Sequence, residues 1–61
     1  MKTFITINQL SELLKIKKST VYSWVYQRKI PYIKVGRLVR FDLSEIEIWI
    51  KDNTVEQYKY K

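Results

Sequence analysis

Apolar residues recur along this chain with two different periods, and the change from one to the other outlines the architecture. In "TINQLSELL", residues 6–14, Leu10, Leu13 and Leu14 fall at i, i+3 and i+4, one face of a helix. Thr6 with Gln9 three residues later forms a capping box, in which the hydroxyl accepts the Gln9 N–H and the Gln side chain reaches back to the Thr6 N–H. Ile5, just before the cap, is placed to meet Leu10 as a hydrophobic staple. These signals predict a first helix over residues 7–14, with Phe4 and Ile5 as a short extended lead-in. The pattern breaks at "KIKK", where Ile16 is the one apolar residue and is expected to plug the core between two helices. "STVYSWVYQRK" then resumes a period near 3.6. Val21, Trp24 and Val25 share one face; Lys18, Ser19, Tyr22, Ser23 and Tyr26 share another. A second helix over about residues 18–28 follows, ending before Pro31, which disfavours helical backbone at Ile30.

From Ile30 the period drops to two. "IPYIKVGRLVRFD" holds the chain's only Pro and only Gly, and its β-branched and aromatic runs flank Gly36-Arg37 as the two strands of a hairpin. Two registers compete. A two-residue loop puts Gly36 first, where a type II′ turn needs it, and pairs Val35 with Leu38, but it sets Lys34 on the same face as Val39 and Phe41. A three-residue loop, Gly36-Arg37-Leu38, pairs Val35 with Val39 and Ile33 with Phe41. It gathers Ile33, Val35, Val39 and Phe41 on one face and leaves Tyr32, Lys34 and Arg40 on the other. A buried face usually decides register, so the three-residue loop is expected. "DLSEIEIWIKD" then opens on a second capping box, Asp42 with Glu45, and carries the stripe Leu43, Ile46, Trp49, Ile50 of a third helix. Residues 53–61 have no strong pattern and read as a tail, either packed by Val55 and Tyr58 or frayed.

Sixty-one residues allow one domain, here residues 1–52 with the tail 53–61, and a chain this short buries only about 60% of its unfolded surface. The chain has neither Cys nor His, so disulfides and zinc or transition-metal sites are not expected. No apolar run approaches the roughly 20 residues of a membrane span, and "TFITINQ" is too polar for a signal sequence. A soluble, cytoplasmic protein is expected, without membrane contact, cofactor or small-molecule ligand. Enzymatic activity is not expected either: there is no His, no Cys, no glycine-rich phosphate loop and no body large enough for a cleft.

Charge changes the picture more. The net charge is +6, but residues 15–40 hold eight bases and no acid, while the remainder holds four bases and six acids. A block of one sign marks a face for a polyanion. Two short helices joined by a tight turn form a helix-turn-helix, whose second helix can lie in the DNA major groove. The hairpin that follows makes a wing, and every base from 15 to 40 then falls in the turn, the second helix or the wing. The acidic third helix should face away from phosphate. The expected fold is therefore α+β and mostly α: three helices, with a β-hairpin wing between the second and third.

Candidate contacts follow from chemistry. Lys17, Lys18, Ser19 and Thr20 sit at the start of the second helix, where phosphates are held. Tyr22, Ser23, Tyr26 and Gln27 are candidates for bases and backbone, since Gln can bind adenine bidentately and Ser serves either base. Lys29, Lys34, Arg37 and Arg40 supply charge from the helix end and the wing, with Arg37 at the tip. Tyr32 is placed either to cover the wing base or to touch DNA.

Residues 4–50 resemble the excisionase-like and MerR-type winged helix-turn-helix family. The resemblance rests on Ser11 at a small-residue position, then Thr20-Val21-Tyr22, Trp24, Lys29-Ile30-Pro31, Lys34-Val35-Gly36-Arg37, Val39-Arg40-Phe41 and Trp49, in that order. It implies DNA binding by the second helix and the wing, as in excision factors of mobile elements and small transcription regulators. Trp24 and Trp49 resemble the core anchors of that family rather than a stacking surface. The chain departs from the family pattern at Lys15 and Arg28, where Gly is usual, and at Lys17, where Ser usually caps the helix. A sequence-specific double-stranded-DNA-binding protein is expected, acting as an excisionase that bends DNA beside an integrase and associates with itself on DNA. A small repressor or activator of the same fold is the alternative. An RNA-binding module could use Tyr22, Tyr26 and Tyr32 for stacking, but helix-turn-helix spacing favours duplex DNA. A protein adaptor would leave the basic block unexplained.

Overall fold

The computed structural model describes residues 2–55; Tyr58 and the rest of the tail beyond Val55 lie outside them. The order of elements is β1 (Phe4–Ile5), α1 (Ile7–Leu14), α2 (Lys18–Tyr26), β2 (Ile33–Val35), β3 (Leu38–Asp42) and α3 (Leu43–Asp52). Three helices thus surround a small antiparallel sheet of order β1-β3-β2, a winged helix-turn-helix. No helix among the described residues is long and apolar enough to cross a membrane.

The first helix spans the residues its sequence predicts, but of the expected apolar face only Leu10 and Leu14 reach the core, and Leu13 is 51% exposed. Thr6 Oγ1 accepts the Gln9 N–H at 3.1 Å, and Gln9 Oε1 accepts the Thr6 N–H at 2.9 Å. Leu10 and Ser11 are buried, and Ile5, Leu14 and Ile16 pack against the core. Helix α1 ends in a Schellman motif: the Lys15 N–H donates to the Glu12 carbonyl and the Ile16 N–H to the Ser11 carbonyl. That motif needs a left-handed residue, and Lys15 takes it with φ 58 and ψ 44. A side chain in that conformation costs about 1–2 kcal/mol. Lys15→Gly removes this strain but loosens the unfolded chain, so it should raise stability by about 0.5–1 kcal/mol, read as a higher urea midpoint at unchanged slope. A fall in the midpoint would mean that the Lys15 side chain packs more than it strains.

Helix α2 is shorter than its pattern suggests. It closes at Tyr26, not at residue 28, through a second Schellman motif in which the Arg28 N–H reaches the Val25 carbonyl and the Lys29 N–H the Trp24 carbonyl. Arg28 is the left-handed residue here, at φ 58. Turning the chain at this point drives Ile30 into the core, where it is 3% exposed. At the other end Lys17 occupies the N-cap without a side-chain hydrogen bond, so α2 goes without the roughly 1 kcal/mol that a Ser, Thr or Asp cap supplies.

The hairpin takes the two-residue loop, not the three-residue one. Val35 pairs with Leu38, Lys34 with Val39 and Ile33 with Arg40. Gly36 stands first in the loop at φ 62 and Arg37 is not left-handed, the type II′ arrangement. Cross-strand partners share a face, so Lys34 lies with Val39 and Phe41, and Arg40 lies with Ile33, Val35 and Leu38. The expected apolar face is therefore split: Val39 and Phe41 turn inward, while Ile33, 36% exposed, and Val35, 60% exposed, turn outward. A buried face dictates register only where something covers it. No residue of β2 is buried, so turn chemistry decides.

The core consists of Leu10, Val21, Ile30, Phe41 and Ile46, one or more from each helix, the sheet and the segment after α2. The extended lead-in becomes a true strand, with Phe4 opposite Asp42 and Ile5 opposite Phe41. Asp42 ends β3 and caps α3. Its Oδ1 accepts the Ser44 N–H and hydroxyl, both at 3.0 Å. The expected reciprocal bond from Glu45 is absent among the described residues, and Glu45 remains exposed. Asp42 is held by strand pairing and by Leu43, whose N–H donates to the Thr3 carbonyl, so the cap closes one residue earlier, at Ser44. Burial pushes the Asp42 carboxyl up, but the two Ser44 bonds and the Lys2 ammonium 3.6 Å away outweigh it, leaving the group below its ordinary value. Val55 is exposed rather than packed.

Candidate nucleic-acid interface

Three residues, Lys15–Lys17, separate α1 from α2, the short connection of a helix-turn-helix. The apolar side of α2 is committed to the fold: Val21 is fully buried, and Trp24 and Val25 pack on the core. Trp24 meets Trp49 of α3 with ring centroids 5.5 Å apart and planes tilted by 58°. The Trp49 indole N–H donates to the Lys29 carbonyl at 3.0 Å, tying α3 to the end of α2. Both tryptophans pack against the core as anchors, as the family resemblance implied.

This anchoring leaves Lys18, Ser19, Tyr22, Ser23, Tyr26 and Gln27 facing outward, with Tyr26 90% exposed. Thr20 is half-buried. Two of the outward residues bond to each other: Gln27 Nε2 donates to Ser23 Oγ at 2.9 Å. The pair can be presented as a unit, one turn apart on the helix. A helix with its side chains is about 10–12 Å across, close to the roughly 12 Å width of the major groove.

The wing stands beside this face and forms a groove on each side. One groove, of about 260 Å³, brings Tyr22 of α2 together with Arg37 and Arg40 of the wing and Thr6 and Asn8 at the start of α1. The Arg40 guanidinium is steadied there by donating to the Val39 carbonyl at 2.8 Å. The other groove, of about 290 Å³, lies between the end of α2 and β2 and joins Tyr26, Arg28, Tyr32 and Lys34. Tyr32 packs against the core, so it covers the wing base while edging this groove. Lys29 stands apart from both: it lines a cleft of about 460 Å³ with Trp24, Trp49 and Asn53. Lys17 and Lys18 are exposed at the start of α2.

Among the described residues the one ion pair is Lys2 with Asp42, and no acid among them neutralises any of the eight central bases. Glu45, Glu47 and Asp52 are exposed on α3, outside both grooves. Asn8 and Thr6 were not among the sequence candidates, because the pattern placed them only in a capping turn. Their position in the groove depends on how the wing folds back over α1, which no local signal carries.

Comparison with known families matches residues 4–54 to the model of the family described as "Helix-turn-helix domain". The chain matches no curated protein and no solved structure.

Proposed function

From the chain's membership of this helix-turn-helix family, a DNA-binding family, we propose that it is a sequence-specific double-stranded-DNA-binding protein serving as an excision factor of a mobile element. In this role residues 1–52 form the DNA-binding domain. The outward face of α2 enters the major groove, and the wing takes the adjacent backbone or minor groove. Binding bends the attachment-site DNA and so favours one outcome of a recombinase bound beside it. The observation that carries the DNA reading is the distribution of charge over the fold: eight bases, none paired with an acid among the described residues, run through the turn, α2 and the wing, while the acids of α3 lie outside the grooves.

Duplex binding should depend strongly on salt. If ~4 to 6 of the eight bases touch phosphate, log affinity against log salt has a slope of roughly −4 to −5. Anisotropy titrations of labelled duplex at several salt concentrations measure this directly. A slope near zero would remove the electrostatic basis of the proposal. Running the same titration on single-stranded RNA separates the stacking alternative, which predicts a preference for the single strand. Single and tandem sites compared in one series report whether copies associate on DNA, as a module burying only about 600–1,000 Å² would need for tight binding.

The excisionase-like and MerR-type proteins that the chain resembles include both excision factors and small repressors or activators, and acting by occupying or bending DNA suits either role. A recombination assay with the integrase encoded nearest the gene decides between them: the excision role requires the protein for excision and not for integration.

A further inference from the structure

We infer that Arg28 is a phosphate-contacting residue of this chain, working with Lys34 in the groove between the end of α2 and the wing. The inference rests on the duplex-DNA function proposed above and adds a site to it. Its starting point is strain. Arg28 adopts φ 58, a left-handed conformation that glycine takes freely and that a side chain takes at a cost. The Schellman turn at the end of α2 needs only that conformation, not a guanidinium. Strained backbone that persists points to a function performed by the side chain held there.

The surroundings of Arg28 indicate which function. The side chain is exposed and has no acidic partner within 4 Å among the described residues. It lines a groove of about 290 Å³ whose other polar residues are Tyr26, Tyr32 and Lys34. Two cations and two phenols line it, with no carboxylate among the described residues. That is the donor set for an anionic oxygen: guanidinium and ammonium supply charge, and the hydroxyls donate hydrogen bonds. The hairpin register makes this possible. Because Lys34 pairs with Val39, it shares the inward side of the wing and turns toward the end of α2. In the three-residue-loop register it would lie on the opposite face, away from Arg28.

A purely local role must be separated from this one. A cation near a helix C-terminus interacts favourably with the helix dipole, and that alone could retain Arg28. The two roles differ in what Arg28→Gly does. If Arg28 holds a phosphate, the variant keeps or gains thermal stability, loses about one unit of salt slope, and binds roughly eightfold more weakly at 0.1 M salt. The loss should be uniform across target sequences, because phosphate contacts carry no base identity. Arg28→Lys should recover the salt slope, since it restores the charge. Wild-type protein, Arg28→Gly and Arg28→Lys are titrated on the same duplex across a salt series, with thermal melts of each. Wild type that binds with a steep slope while Arg28→Gly binds identically would overturn the assignment alone and leave DNA binding standing. Wild type without salt-dependent duplex binding would overturn the DNA function and this site with it.

Discussion

Phe41→Ala should leave most of the protein unfolded at room temperature. Phe41 is fully buried and is the largest side chain in the core. It sits opposite Ile5 in the β1–β3 pairing, on the inward face of the strand that joins the wing to the body. Removing a buried phenyl ring costs about 3–5 kcal/mol, from lost transfer energy and the cavity left behind. A domain of this size holds roughly 3–9 kcal/mol in total, and cores below 70–80 residues rarely supply more than about 3–5 kcal/mol. One residue therefore carries a large part of the margin. Far-ultraviolet circular dichroism during a thermal melt should show loss of helical signal at 25 °C and no cooperative transition. Tyr26→Ala is the contrast: it deletes an aromatic ring that is 90% exposed, and stability should move by no more than about 0.5 kcal/mol. If Phe41→Ala melts cooperatively within a few degrees of wild type, the core does not depend on β3 in the way its burial implies.

Arg37→Ala should weaken duplex binding by roughly 1–3 kcal/mol while leaving the fold intact. Arg37 is the second residue of the two-residue loop, exposed at the tip of the wing. Gly36, at φ 62, makes the turn that places it there. An arginine so presented can enter a minor groove, where A·T tracts are narrow and strongly electronegative. Sequence preference read by α2 should survive the change, because the wing and the helix meet different parts of the duplex. Ser23→Ala or Gln27→Ala serves as the reciprocal comparison, breaking the Ser23–Gln27 hydrogen bond and relaxing preference with a smaller loss of non-specific affinity. Wild-type affinity in Arg37→Ala, together with a lower melting temperature, would make the wing a brace rather than a contact.

The split between these two residues follows what could be seen along the chain. Arg37 sits at the tip in either candidate loop, so its exposure did not depend on choosing the register. Phe41 turns inward in both registers as well. Ile33 and Val35 do not: the three-residue loop would bury them with Phe41, and the actual pairing leaves them facing outward with Leu38 and Arg40. With them moved the partner of Lys34, which now stands beside Arg28 in the groove at the end of α2.

What the sequence by itself determined is what closes within a turn of backbone. The Thr6–Gln9 capping box, the start of α1, the inward faces of α2 and α3 and the absence of a cap at Lys17 all involve residues three or four apart, and each was legible; Leu13, placed on the inward face of α1 by the same period, is exposed because no element covers it. The family resemblance, not the chain's own pattern, marked Lys15 and Arg28 as standing where glycine is usual, and the backbone there proves left-handed. What only the tertiary structure decided involves partners far apart in the chain. Phe4 and Ile5 become a strand because β3 passes beside them. Asp42 bonds Ser44 instead of Glu45 because it is also the end of that strand. Tyr22, Asn8 and Arg37 reach one groove because the wing folds back over α1. The hairpin register belongs with these, since alternation specifies a face only when another layer covers it, and over β2 no layer does.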